Sequence, residues 1–350
     1  MPGPQAGLGM SLLSQLDLDS LPLFQQLGGI EIITAHQLFL MHQKNSISQS
    51  EIDNFDDKLG LAEAAIIGGD EHFFNNISDL LSDSEMAFIG YRRAQLENNF
   101  EIAQAKLKQC VEASRSSSLR DHEIEARARM EWGLLRYTQG QKEEAGVDLR
   151  WAMERLKAIS EGSVQHGLSI LNMASWHVSR NESMMALALL SQINRLGPHK
   201  IEIIASSRLQ ISKLLFELGD FFSSQRHAWV AFEGFSESGM IDEAIEASLI
   251  WIDLSLNDVT IDAPKMNHLV ENSSPRDLGD DSKCSCHPDD MMSTINWCFE
   301  NWQGDNSGVD RPDLIVLLEA ERCLGISNFH DKFRNDDVIE DKEVITLLGC

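Results

Sequence analysis

The sequence predicts an all-α protein, and three observations carry that expectation. Helical spacing recurs along the chain: Met86, Ile89, Arg93 and Leu96 share one face of one stretch, and Ile203, Leu209, Ile211, Leu214 and Leu215 mark another. The long apolar-polar alternation of half-buried strands is scarce, and the 350 residues include only 2 Tyr. Finally, a turn residue followed five positions later by a small residue recurs. The pairs are Asn98 and Ala103, Gly140 and Ala145, Asn181 and Ala186, Gly219 and Ser224, and Gly239 and Ala244. Gly, and after it Asn, best tolerates the left-handed backbone that closes a helix. With 43% hydrophobic residues the chain can bury a core, as one large or two ordinary domains.

Taken in order, residues 1–20 are rich in Gly, Pro, Ser and Leu and are expected to be a flexible N-terminal segment. Residues 21–84 are expected to be N-terminal helices, over 21–44 and 51–67, with Ser50 as an N-cap and Asp53 three residues on. Gly68-Gly69-Asp70 stops the second of these, and Phe73, Phe74, Ile77, Leu80 and Leu81 mark a short amphipathic helix. The repeats occupy 85–255. A loop or linker is expected over 256–289, from Asn257-Asp258, Asn272-Ser273-Ser274-Pro275 and Gly279-Asp280-Asp281. C-terminal helices at 290–302 and 312–324 fill the segment 290–330. An acidic tail, 331–350, ends in the apolar patch Val344, Ile345, Leu347 and Leu348.

The fullest repeat block joins Trp132-Gly133, the turn at Gly140, the segment Gln141 to Ala145, then Leu149 and Ala152. Small residues stand where two antiparallel backbones approach, and the Gly stands where the chain reverses. The opening residues Ala103, Ala145, Ala186 and Ser224 lie 42, 41 and 38 positions apart, and Ala244 follows 20 later. This pattern resembles the tetratricopeptide repeat, whose fingerprint W-x2-L-G-x2-Y…A-x3-F…P has a period of about 34 residues. The resemblance covers roughly 85–255. It is best around Gly133 and Ala145, partial around Ala103 and Ala186, and sparse around Ser224. The longer offsets imply longer helices or loops than the standard repeat.

The resemblance implies helical hairpins stacked as a tetratricopeptide-like α-solenoid, with extra flanking helices. It also implies a concave groove lined by the first helix of each hairpin. Carried over residue by residue, that groove takes Phe88, Arg92 and Gln95, then Arg127, Met130, Leu134 and Tyr137. Leu171, Ser175 and Val178 follow, and then Leu209, Lys213 and Phe216. Met130 and Leu134 stand where family members place polar residues that clamp a C-terminal carboxylate. The set therefore suits an extended or helical acidic peptide with apolar anchors. The acidic tail around Asp336, Asp337, Glu340 and Asp341, anchored by Val344 to Leu348, is expected to compete for it from within the chain.

Net charge is −26, distributed as −11 over residues 1–90, +3 over 91–200 and −18 over 201–350. Phosphate binding needs clustered Lys and Arg, so nucleic acid and acidic membranes are not expected partners. No run of about 18 apolar residues appears, and no basic residue precedes Lys44. A soluble, cytoplasmic protein is the expectation.

The motifs of serine hydrolases, P-loop proteins, dinucleotide-binding folds and zinc proteases are missing, so neither catalysis nor a cofactor is expected. His166, His177 and His227 are scattered along helices and suit packing better than base catalysis. Trp132, Trp151, Trp176, Trp229 and the pair Met184-Met185 suit a core. Cys284, Cys286 and His287, with Cys298 beyond, form the one metal candidate. Thiolates and an imidazole could hold zinc, and the alternative is ordinary reduced thiols beside a helix start at Pro288. The leading expectation is a protein-interaction module or scaffold that binds a peptide or protein segment in a helical groove. A regulatory sensor of peptide or small ligand and a zinc-binding protein or enzyme are the alternatives.

Overall fold

A computed structural model describes residues 35–44, 48–116, 120–272, 284–302, 307–334 and 338–349. The expected N-terminal segment 1–20, the start of the first expected helix and most of the expected linker lie outside them. The protein is all-α. Eighteen α-helices run through the described residues, and the only β-structure among them is one short parallel pair and an isolated bridge. The chain divides into two compact units, Met1–Lys200 and Ile201–Cys350. The division falls inside the 85–255 stretch, between the third and fourth repeat blocks.

The first unit opens with α1 (Ala35–Gln43), α2 (Gln49–Asn54), α3 (Lys58–Ile67) and α4 (Glu71–Ile77), the last continued by a 3-10 turn at Ser78–Leu80. The single helix expected over 51–67 is two. Ser48 rather than Ser50 caps α2, in a capping box with Glu51. The chain then breaks at Phe55, and the Asp57 side chain caps α3 by accepting from the Gly60 N–H at 2.8 Å. Lys58 Nζ donates to the Ile52 and Asp53 carbonyls at 2.8 and 2.9 Å, satisfying the end of α2. Helix α3 is buried from Leu59 through Ile66, as its composition of Leu, Ala and Ile requires.

Three helix pairs follow: α5 (Asp83–Leu96) with α6 (Phe100–Ser116), α7 (His122–Thr138) with α8 (Lys142–Ser160), and α9 (Val164–Val178) with α10 (Ser183–Leu190). The second unit holds α11 (Ile201–Glu217), α12 (Phe221–Ser238) and α13 (Ile241–Ser255), where α12 packs on both neighbours. That sharing accounts for the short offset between Ser224 and Ala244: α12 is the second helix of one pair and the first of the next.

All five expected turns fall between helices. Their key residues are left-handed, with φ of 54° at Asn98, 82° at Gly140, 61° at Asn181, 83° at Gly219 and 76° at Gly239. Each closes with the same two backbone bonds. At the second turn, Gln141 N–H donates to Arg136 C=O at 2.9 Å and Gly140 N–H to Tyr137 C=O at 3.0 Å. The small residues after the turns are buried without exception: Ala103, Ala145, Ala186, Ser224 and Ala244. They sit where helices touch. A Cβ on Gly133 would come within 2.9 Å of Leu149 Cγ and 3.1 Å of the Ala145 carbonyl. In the fourth pair, Ser212 and Ser224 replace such a contact with reciprocal bonds from each hydroxyl to the other's carbonyl, at 2.9 and 2.8 Å.

Beyond α13 the expected linker is partly structured. Asp258–Val259 (β1) pairs with Ser285–Cys286 (β2), and α14 (Met266–Asn272) lies between them in sequence. Helices α15 (Pro288–Asn301) and α16 (Pro312–Leu324) match the two expected C-terminal helices. The acidic tail is not a free segment where it is described. It forms α17 (Asn328–Phe333) and α18 (Lys342–Leu348), with Val344 and Leu348 buried and α18 packed on α16. Asp341 caps α18 through the Glu343 and Val344 N–H groups and also accepts from Arg311 N–H at 2.8 Å. The patch expected to anchor in the groove is thus consumed by the second unit's own core. Asp336 and Asp337 lie outside the described residues.

Candidate functional site

The expected groove is divided by burial. Phe88, Arg92, Arg127 and Met130 are buried in the first unit, while Leu134 and Tyr137 are half-buried. Lys213 and Phe216 are exposed, and they belong to the second unit. The reason for the burial is a closed charge network. Glu63 on α3 accepts from Arg92 Nε at 2.9 Å and Arg127 Nη2 at 2.6 Å. Glu131 on α7 accepts from Arg92 Nη2 at 2.9 Å and from the Tyr91 hydroxyl at 2.7 Å. The Phe88 ring lies against both guanidinium groups, 5.2 Å from Arg92 Cζ and 4.8 Å from Arg127 Cζ. Two cations meet two carboxylates, so no charge is left for a partner. The chain's own α3 occupies the face that the register reserved for a peptide. In the second unit, Lys213 pairs with Glu246 at 2.5 Å, and Phe216 stacks edge-on with Phe221.

A different cation cluster remains open, on the other side of α7. Helix positions advance about 100° per residue, so Arg129, Trp132 and Arg136 face roughly half a turn away from Arg127, Met130 and Leu134. They line a cleft of about 300 Å³ with Lys108, Val111, Glu112 and Arg115 from α6 and Asp148 from α8. Four of those eight residues are cations and two are carboxylates. Local structure holds them in place. Lys108, Val111, Glu112 and Arg115 recur at helical spacing along α6, and Asp121 caps the start of α7.

Glu125, in the first turn of α7, has a fully buried side chain and organises the cluster. It accepts from Arg115 Nε at 2.8 Å and from Arg120 Nη2 at 2.9 Å, while Arg129 Nε stands 3.7 Å away. Burial by itself would raise the Glu125 carboxyl, but the hydrogen bonds from Arg120 and Arg115 outweigh it and hold it below the usual value. Arg129 lies 4.1 Å from the Trp151 ring, and burial followed by repulsion from Arg115 pulls its guanidinium below the ordinary value. It stays charged at neutral pH, because arginine starts so high. Arg136 packs on the Trp132 ring at 4.9 Å and pairs with Asp148 at 2.5 Å. Lys108 approaches Glu112 only to 3.9 Å.

The sequence alone assigns the residues of this cleft no role except Trp132, which it places in the core and which is half-buried here. Their signal was present in the i, i+3, i+7 spacing of Arg129, Trp132 and Arg136. The carried-over register pointed to the other face of the same helix.

The metal candidates are not gathered. Among the described residues no group of three or more His, Cys, Asp or Glu side chains could hold an ion. Cys286 is buried in β2 and its thiol donates to the His287 carbonyl at 3.3 Å. His287 Nδ1 accepts from the Asp289 N–H at 3.2 Å and caps α15. Cys298 is buried against Ser248 Oγ at 3.1 Å, and Cys284 is half-buried beside a separate cleft with Phe216 and Phe221. Burial pushes the Cys286 and Cys298 thiols up to about 12 and about 11. Two core expectations also change: Met184 and Met185 are exposed, at 71% and 54%.

No protein-family model matches the chain, and comparison with curated proteins finds no significant match. No helix among the described residues is long and apolar enough to cross a membrane.

Proposed function

We propose that this protein is an interaction module whose cleft between α6, α7 and α8 holds an acidic segment of a partner protein. One observation carries the reading: in a chain of net charge −26, Lys108, Arg115, Arg129 and Arg136 converge on one cleft beside Trp132. Local pairing with these cations favours an anionic partner there, against the long-range repulsion of the chain's negative charge. The half-buried Trp132 indole supplies apolar surface, where interface affinity concentrates. The stacking of the hairpins as a tetratricopeptide-like solenoid belongs to the same proposal. It is supported by the five recurring turns and their buried small residues.

The test is fluorescence anisotropy with a labelled peptide of alternating Glu and Leu, against a control of alternating Lys and Leu. The acidic peptide should bind and the basic one should not. Lys108→Glu, an exposed change, and Arg129→Glu should each weaken binding about tenfold, equivalent to about 1.4 kcal/mol. Binding should also fall steeply with added salt. Equal binding of both peptides, or acidic-peptide binding that ignores both charge reversals, rejects the reading.

A further inference from the structure

The cleft holds more positive charge than a carboxylate would neutralise. Arg136 is matched by Asp148. With the buried Glu125 and its partner Arg120 included, Lys108, Arg115, Arg120, Arg129 and Arg136 stand against Glu112, Glu125 and Asp148, so two positive charges are left over. Glu125 is fully buried and already accepts from Arg115 and Arg120. It therefore has little capacity left for Arg129, which stands at 3.7 Å.

Donor geometry points the same way. Arg115 contacts Glu125 through Nε, and Arg129 turns its Nε toward the same carboxylate. Neither guanidinium uses an Nη atom in a hydrogen bond among the described residues. The Nη donors of these two cleft-lining residues are therefore uncommitted, beside one ammonium group. Guanidinium forks suit the oxygens of a phosphoryl group, which carries about −1.5 to −2 charge at neutral pH. A cleft of about 300 Å³ also has room for that group and part of a flanking side chain.

We propose that the acidic group recognised in this cleft is a phosphoryl dianion on a partner's phosphorylated side chain. Arg115 and Arg129 grip its oxygens, Lys108 balances the charge, and Trp132 packs against the flanking residue. The proposal rests on the interaction reading above and names the chemistry of its partner.

Three labelled peptides identical except at one position, carrying phosphoserine, Glu or Ser, are titrated against the full-length protein, with inorganic phosphate as a competitor. The phosphopeptide should bind at least about tenfold tighter than the Glu peptide. Its advantage should shrink as the pH drops through about 6, where the phosphoryl group takes up its second proton. Arg129→Lys and the more exposed Arg115→Lys keep the charge but lose the fork. Each should erase most of the phosphopeptide's advantage while leaving Glu-peptide binding nearly unchanged, with thermal melts confirming that the variants fold. Equal affinity for the phosphoserine and Glu peptides overturns the phosphoryl proposal and leaves the acidic-partner reading standing. Binding of neither peptide overturns both. Inorganic phosphate binding as tightly as the phosphopeptide shows a free-anion site and overturns the peptide assignment.

Discussion

Glu63 shows how one residue decides what a helix face can do. It is the one charged residue among the buried positions of a helix rich in Leu, Ala and Ile, and its side chain is only 1% exposed. Burial would raise its carboxyl, but Arg127 and then Arg92 outweigh that and hold it below the ordinary value of 4.5. The folded state therefore binds this proton more weakly than the unfolded state. Its contribution is whole above about pH 4.5 and is lost as the pH falls through the lower folded-state value. Glu63→Gln leaves two buried guanidinium groups facing one carboxylate, and the expected loss is about 3–5 kcal/mol at neutral pH. Urea unfolding across the acid range checks both points: the variant should start lower and its stability should depend less on acid. A variant as stable as the parent would mean that Arg92 and Arg127 find compensation elsewhere. The sequence shows Glu63 plainly, yet no local rule says that it meets an arginine 64 positions away.

At the scale of the element, the helix pairs depend on backbone shape at the turn and on side-chain size just after it. These two causes can be separated. A Cβ on Gly140 would meet nothing within 4 Å, so Gly140→Ala tests only the left-handed backbone at φ 82°. The expected cost is about 1–2 kcal/mol. Gly146 is the opposite case, because a Cβ there would lie 2.4 Å from the Trp176 ring. That ring is tethered by its Nε1–H to the Lys142 carbonyl at 2.8 Å, so Gly146→Ala must displace it. Ala145→Leu likewise forces a large side chain into the buried contact between α7 and α8, at a cost of about 1–3 kcal/mol. Denaturant unfolding of the three variants should show all of them destabilised. If Gly140→Ala alone were neutral, the turn would be tolerating a strained alanine and its glycine would not matter. Both features were legible in the sequence, since turn residue and small residue stand five positions apart and act through local geometry.

For the whole molecule, a net charge of −26 sets two salt responses of opposite sign. Self-repulsion between exposed carboxylates is screened beyond about 8 Å at physiological ionic strength, so the melting temperature should rise as NaCl is added from low salt. The buried network around Glu63 is sheltered from that screening. Acidic-peptide binding at the cleft should weaken over the same range, because its cations attract through solvent. A melting temperature that stays flat or falls would mean that the surface carboxylates are already matched by neighbouring cations, as Glu143 and Glu182 are by Arg180.

The sequence by itself determined the elements: helices, the five left-handed turns, the buried small residue after each turn, and the two helices that begin at Pro288 and Pro312. These follow from backbone sterics and from spacing within a few residues. Only the tertiary structure decided which face of α7 is open. The same helix carries Arg127 on one side and Arg129 on the other, and both residue types look alike in sequence. Glu63 arrives from α3 to neutralise and bury the first, while Glu125 is shared among three guanidinium groups and leaves the second half-buried at the cleft. Likewise, the apolar end of the tail could have covered any apolar surface, and folding spent it on α16. Such choices depend on contacts between residues far apart in the chain, and those contacts exist only once the helices have packed.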